Sequence, residues 1–128
     1  MKTRIATLFL GLLGLALTAH ALAAEVPFNQ QQFDQALAAG KPAVVYFHAD
    51  WCPTCRAQQP IVSRLAKEQQ FQPVTVFVAD FDKESALKKS LRVAQQSTFV
   101  VFKQGHEVTR STGQTQESAI RATFQSAL

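Results

Sequence analysis

Ala43-Val44-Val45-Tyr46-Phe47 is an unbroken run of apolar and aromatic residues rich in β-formers. A strand without polar alternation is buried on both faces, so the sheet that holds it must carry helices on each side. Val74 to Val78 and Thr98 to Phe102 repeat the pattern, and segments of helical period lie between. After an extended lead, Val26-Pro27-Phe28, Asn29 is placed to cap a helix over Gln30 to Ala39. Phe33 and Leu37 would share its apolar face, Gly40 would end it, and Lys41-Pro42 would turn the chain into the first run. A second helical pattern runs from about Pro53 to Gln70, with Ile61, Leu65 and Ala66 on one side and Pro60 placed to bend it. Pro73 restarts the chain, and Asp82 is predicted to cap a short helix over Lys83 to Leu91. Gln104-Gly105 reads as a tight turn that returns Glu107 to Ser111 as an antiparallel edge strand. Beyond Gly113, Thr115 to Ala127 reads as an amphipathic helix with Ala119, Ile120 and Phe124 inward. The order α β α β α β β α, with an extra strand at the start, predicts an α/β fold: a central mixed β-sheet flanked by helices on both faces.

The N-terminus has a different logic. Lys2 and Arg4 precede an apolar run from Ile5 to Leu17, and Ala19-His20-Ala21-Leu22-Ala23-Ala24 supplies small residues for cleavage. These are the parts of a secretory signal, and the run is shorter than the ~20 residues a spanning helix needs. Residues 1–24 are therefore expected to be a cleaved signal peptide and 25–128 a single domain, with membrane contact only through the uncleaved signal. Without Lys2 and Arg4, eleven basic residues face nine acidic ones. Lys88-Lys89 with Arg92 is the only cluster, so no nucleic-acid partner is expected.

The chain has two cysteines, Cys52 and Cys55. In an oxidising compartment a protein with this pair and no other thiol has its redox chemistry there. Trp51-Cys52-Pro53-Thr54-Cys55-Arg56 falls where a buried strand ends and a helix begins. Helix N–H groups and the positive end of the dipole favour a thiolate, and the thiolate is the attacking species. Cys52 is thus the expected nucleophile, ionised and open to substrate. Cys55, about one turn later, is the expected resolving thiol, and a Cys52–Cys55 disulfide the oxidised state. A closed zinc site needs four ligands, and only His48 and the sequence-remote His106 are on offer. A structural disulfide over so short a loop would stabilise little. No cofactor is called for.

The segment Val44-Val45-Tyr46-Phe47-His48-Ala49-Asp50-Trp51-Cys52-Pro53-Thr54-Cys55, then Pro60, then Ser97-Thr98-Phe99-Val100-Val101-Phe102-Lys103-Gln104-Gly105, resembles the thioredoxin family over essentially all of 25–128. The motif Trp-Cys-Pro-Thr-Cys-Arg-Ala also looks like that of the membrane-tethered thioredoxins of bacterial cytochrome c maturation. The resemblance implies a thioredoxin-like fold and a protein-disulfide oxidoreductase. It also implies that Trp51 shields the nucleophile and joins the docking surface, and that Pro60 kinks the helix.

The chain departs from that family at three places. Ser97 stands where a cis-proline precedes the third apolar strand; the Gln96–Ser97 bond is expected trans, and its hydroxyl within reach of a Cys52 thiolate. Tyr46 replaces the buried acid, and Val78 the lysine that pairs with it. The usual proton route to the resolving thiol is therefore missing. Tyr46 alone is a poor base at neutral pH, Asp50 or water remains, and slower resolution by Cys55 is expected. Pro53 and Thr54 set the potential through the geometry of the helix start. They lack the histidine of strongly oxidising relatives, which leans the couple toward a reductant or an exchanger of intermediate potential. The expected partners are substrate proteins with disulfides or thiols, and a membrane thiol-electron transporter as donor, with the chain a monomer in the periplasm. The alternative is a metal- or iron–sulfur-binding module in which two such motifs meet in a dimer, motivated by the absent proline ring. A non-catalytic chaperone has no need of two reactive thiols.

Overall fold

The computed structural model describes residues 25–128; the expected signal, 1–24, lies outside the described residues. Its elements are β1 (Glu25–Pro27), α1 (Gln30–Ala38), β2 (Ala43–His48), α2 (Pro53–Leu65), a 3-10 turn (Gln69–Phe71), β3 (Thr75–Asp80), α3 (Ser85–Leu91), β4 (Thr98–Lys103), β5 (His106–Thr112) and α4 (Glu117–Gln125). They form a five-stranded sheet in the order β1-β3-β2-β4-β5. β1 and β2 pair with β3 in parallel, while β4 runs antiparallel to both β2 and β5. The parallel pair needs a crossover, and α2 supplies it.

Alternation along β2 sorts its side chains between two cores. Val44 and Tyr46 join Val62, Leu65, Phe99, Ile120 and Phe124 beneath α2 and α4. Ala43, Val45 and Phe47 join Phe33, Phe77, Leu87 and Phe102 beneath α1 and α3. All six residues of β2 are buried, as the unbroken run predicts. His48 continues the Tyr46 face, which brings both rings to the end of the strand where α2 begins.

Local signals set most boundaries. Asn29 caps α1 by accepting the Gln32 N–H at 2.9 Å. The β4–β5 hairpin closes through Gln104 and Gly105, both at positive φ (52° and 79°), as a two-residue turn of matching twist requires. At Gly105 an added Cβ would lie 3.0 Å from the Leu37 carbonyl oxygen. Two expectations need correction. α2 stops at Leu65, not near Gln70, and the chain tightens into the 3-10 turn that buries Phe71. Asp82 does not cap α3: Asp80 accepts the Asp82 and Lys83 N–H groups at 2.9 and 3.2 Å, and Glu84 precedes the helix.

Candidate active site

Cys52 is the N-cap of α2. Its backbone is still extended (φ −83°, ψ 118°), and its sulfur accepts the Cys55 N–H at 3.4 Å. Pro53 occupies the first helical position, where no N–H is needed. Pro53 is exposed and Thr54 half-buried. Cys55 is fully buried on the apolar stripe of α2, with Gln58, Val62 and Leu65. Both cysteines are free thiols.

Ser97 lies over them. No peptide bond among the described residues is cis, so the Gln96–Ser97 bond is trans, and Ser97 takes a left-handed conformation with φ 62°. Its N–H donates to the Phe47 carbonyl at 2.8 Å, and its own carbonyl accepts the Gly113 N–H at 3.0 Å. This ties the loop between β2 and the end of β5. The Ser97 hydroxyl then stands 3.0 Å from Sγ of Cys55 and 3.3 Å from Sγ of Cys52. A hydroxyl has one proton to give, so it donates to one sulfur while accepting from the other. That pattern suits one thiolate and one thiol.

The two sulfurs are unequal. Burial works to raise Cys52, but hydrogen bonds from Ser97, the Cys55 backbone N–H and the side chains of Cys55 and Gln96 hold it down to about 7. Burial pushes Cys55 up, only partly offset by Ser97. The expectation of an open nucleophile needs correction: Cys52 is only 2 % exposed. The Ser97 hydroxyl that favours the thiolate also lies against its sulfur, at 3.3 Å.

Gln58 was not singled out in the sequence. It is fully buried, and its Nε2 donates to the Ser97 carbonyl at 3.3 Å and the Gln114 carbonyl at 2.8 Å. A polar residue on the apolar stripe of a helix was the available signal. Tyr46, the site of the missing acid, donates from its hydroxyl to the Cys55 carbonyl at 3.1 Å. Burial drives its phenol well above the usual range. His48, weighed only as a zinc ligand, joins Tyr46 (3.2 Å) to Asp50 (3.0 Å). Asp50 is fully exposed and stands at the outer end of that chain, whose inner end is the Cys55 carbonyl. Trp51 is 57 % exposed beside the motif, its Nε1 donating to Asp82 at 2.7 Å. Among the described residues no three His, Cys, Asp or Glu side chains are grouped to hold a metal ion.

A sequence model described as Thioredoxin matches residues 24–126. The chain belongs to the thioredoxin family. A thioredoxin H-type of Fagopyrum esculentum is 37 % identical over 83 residues, covering 65 % of this chain and 70 % of that one. The thioredoxin of Chlamydia pneumoniae is 34 % identical over 85 residues, covering 66 % and 80 %. Among solved structures, Trxlp of Edwardsiella tarda superposes with a TM-score of 0.77 at 36 % identity, over 79 % of this chain and 98 % of that one. This thioredoxin-family chain is a protein-disulfide oxidoreductase, with the mixed sheet and flanking helices of the fold.

Proposed function

We propose that the mature chain is a periplasmic oxidoreductase that reduces or exchanges disulfides of substrate proteins, with Cys52 as nucleophile and Cys55 as resolving thiol. The carrying observation is the Ser97 hydroxyl between two sulfurs of opposite tendency, one held down to about 7 and the other raised. Cys52 thiolate attacks one substrate sulfur, forms a mixed disulfide and expels the other as a thiolate. Cys55 loses its proton and attacks Sγ of Cys52. The Cys52–Cys55 bond forms, the second substrate thiolate leaves, and two electrons have passed to the substrate. Trp51 offers exposed aromatic surface beside the motif for docking.

The direction proposed is reduction. Thiols of strong oxidants are depressed to ~3.5, whereas a value near ~7 belongs to weakly oxidising or reducing couples. Export is supported by the basic start, apolar run and small-residue exit of 1–24. A reductant outside the cytoplasm requires electrons, and a membrane thiol transporter is the matching donor class. Reduction of insulin disulfides by the mature domain, abolished by Cys52→Ser, tests the chemistry. Equilibration with glutathione tests direction: a potential at or above that of a glutathione-buffered secretory compartment overturns the reductant reading. Cell fractionation tests location: unprocessed protein in the cytoplasm overturns export. Covalent partners trapped on Cys55→Ala would identify substrate and donor.

A further inference from the structure

Resolution requires Cys55 to lose a proton, and the Ser97 bridge does not meet that need at the decisive moment. In the free dithiol, Ser97 joins Cys55 to an ionised Cys52. In the mixed disulfide Cys52 carries no negative charge, so the bridge ends on no base. Another polar group beside Cys55 is the Tyr46 hydroxyl, which lies 3.1 Å from its carbonyl oxygen. Behind Tyr46 stand His48 at 3.2 Å and then Asp50 at 3.0 Å.

This chain of contacts has two complete proton arrangements. With His48 neutral, the Asp50 carboxylate accepts the Nε2 proton, bare Nδ1 accepts the Tyr46 hydroxyl, and the phenol oxygen is an acceptor toward Cys55. With His48 doubly protonated, Nδ1 donates to Tyr46, and the hydroxyl proton points at the Cys55 carbonyl. Moving one proton from Cys55 to Tyr46 and another from Tyr46 to His48 converts the first into the second without moving a heavy atom.

A cavity of about 500 Å³ beside His48 is lined by Glu25 of β1, Asp50, Asp80 of β3 and Asp82, and among the described residues no Lys or Arg enters its wall. Lys83 pairs with Asp80 at 3.6 Å, and Ser63 donates to Glu25 at 2.7 Å. Exposed Asp50, 3.0 Å from Nε2 of His48, gives a relayed proton an exit to water.

We propose that Asp50, His48 and Tyr46 form a proton relay that accepts the Cys55 proton during resolution, with His48 as its positioning residue. This rests on the roles of Cys52 and Cys55 given above. Cys55 passes its proton to Tyr46, which passes its own to Nδ1 of His48. The Cys55 thiolate attacks Sγ of Cys52, the bond to the substrate sulfur breaks, and that sulfur leaves with the electron pair. His48 returns the proton to water or to the departing thiolate. The slow resolution expected of Tyr46 as a lone base is thereby relieved.

The test uses the reduced mature domain and an excess of an aromatic disulfide whose released thiolate is coloured. A first phase reports attack by Cys52, and a second reports resolution by Cys55. A relayed proton should make the second phase, more than the first, sensitive to solvent deuterium. Tyr46→Phe and His48→Gln should each slow the second phase by about tenfold or more near neutral pH, below the ~10²–10⁴ of a directly placed base because water competes. His48→Gln should lower that sensitivity, the double variant should be no slower than the slower single one, and the first phase should stay within about twofold. Unchanged second phases, an undiminished solvent-deuterium sensitivity in His48→Gln or multiplicative losses overturn the relay. Asp50→Asn, fully exposed and harmless to the core, should slow the second phase by a smaller factor; no change overturns the relay even if a core variant fails to fold. Absence of both phases in the unsubstituted domain overturns the cysteine assignment itself.

Discussion

The Ser97 hydroxyl stands 3.0 Å from Sγ of Cys55, closer than the 3.3 Å to Sγ of Cys52 that it also serves. Ser97→Gly isolates this contact, because glycine accepts φ 62° without the ~1–2 kcal/mol cost borne by an L side chain. A hydrogen bond to a charged group contributes about 1.5–3 kcal/mol, so its loss should raise the Cys52 titration midpoint by about one unit or more. Alkylation near neutral pH should slow several-fold. The reduced form loses stabilisation, so the couple should become more reducing by about 30 mV per 1.4 kcal/mol. The thermal midpoint of the oxidised protein should not fall. An unchanged alkylation profile would remove Ser97 from the site.

Cys52 gives a pH dependence of known sign. Its folded value, about 7, lies below the ordinary thiol range, so the folded reduced chain binds fewer protons than the unfolded one between about pH 7 and 9. Stability from this group is fully present above that range and is lost as pH falls through about 7. Cys55 is raised and works oppositely, costing stability only above the ordinary thiol range. Denaturant unfolding of the reduced protein should gain on Cys52→Ser as pH rises across the window. A constant difference would mean the sulfur is not depressed.

Tertiary partners explain what the sequence did and did not disclose. β2 was legible because both faces of Val44 to Phe47 are covered, leaving nothing to interrupt the apolar run. The end of α2 was not, because Leu65 and Ala66 are both buried and carry the helical period past the true stop. Asp82 had the look of a cap, but its carboxylate is engaged by Trp51, which is far away in sequence. The cysteine motif announced itself through residue type and position, and the reach of Ser97 followed from the resemblance. Gln58 stayed silent because its position fits a core reading, while Tyr46 was noticed only as the replacement of an acid and His48 only as a metal ligand. Their meaning depends on partners that the fold supplies: the Ser97, Gln114 and Cys55 carbonyls, and the Asp50 carboxylate.

The Trp51 indole donates to Asp82 on an exposed surface, so this bond adds little to stability. Trp51→Ala should change unfolding free energy by no more than about 0.5–1 kcal/mol. Its effect should fall on recognition: reduction of a protein disulfide should lose more in kcat/KM than reduction of a small aromatic disulfide. Asp82→Ala, which frees the ring without removing it, should show the same bias more weakly. Equal losses with both substrates would make Trp51 a packing residue.

Gln58 presents opposing terms. Nε2 holds the Ser97 and Gln114 carbonyls, while buried Oε1 has no hydrogen-bond partner among the described residues. Gln58→Leu removes the unsatisfied acceptor, which costs about 1–3 kcal/mol as it stands, and restores apolar contact on the α2 stripe. It also leaves the Gln114 carbonyl without this donor, whereas the Ser97 carbonyl keeps the Gly113 N–H. The gain and loss are of similar size, so net stability should move by less than about 1 kcal/mol. The Ser97 loop, by contrast, loses its tie to α2. Hydrogen exchange at Ser97 and Gly113 should quicken, and Cys52 should react faster with a bulky alkylating agent as its cover loosens. Gln58→Ala, which leaves a cavity as well, should cost about 2–3 kcal/mol. If Gln58→Leu leaves both exchange and alkylation unchanged, the loop is held by its backbone bonds alone, and the side chain serves only the packing of α2.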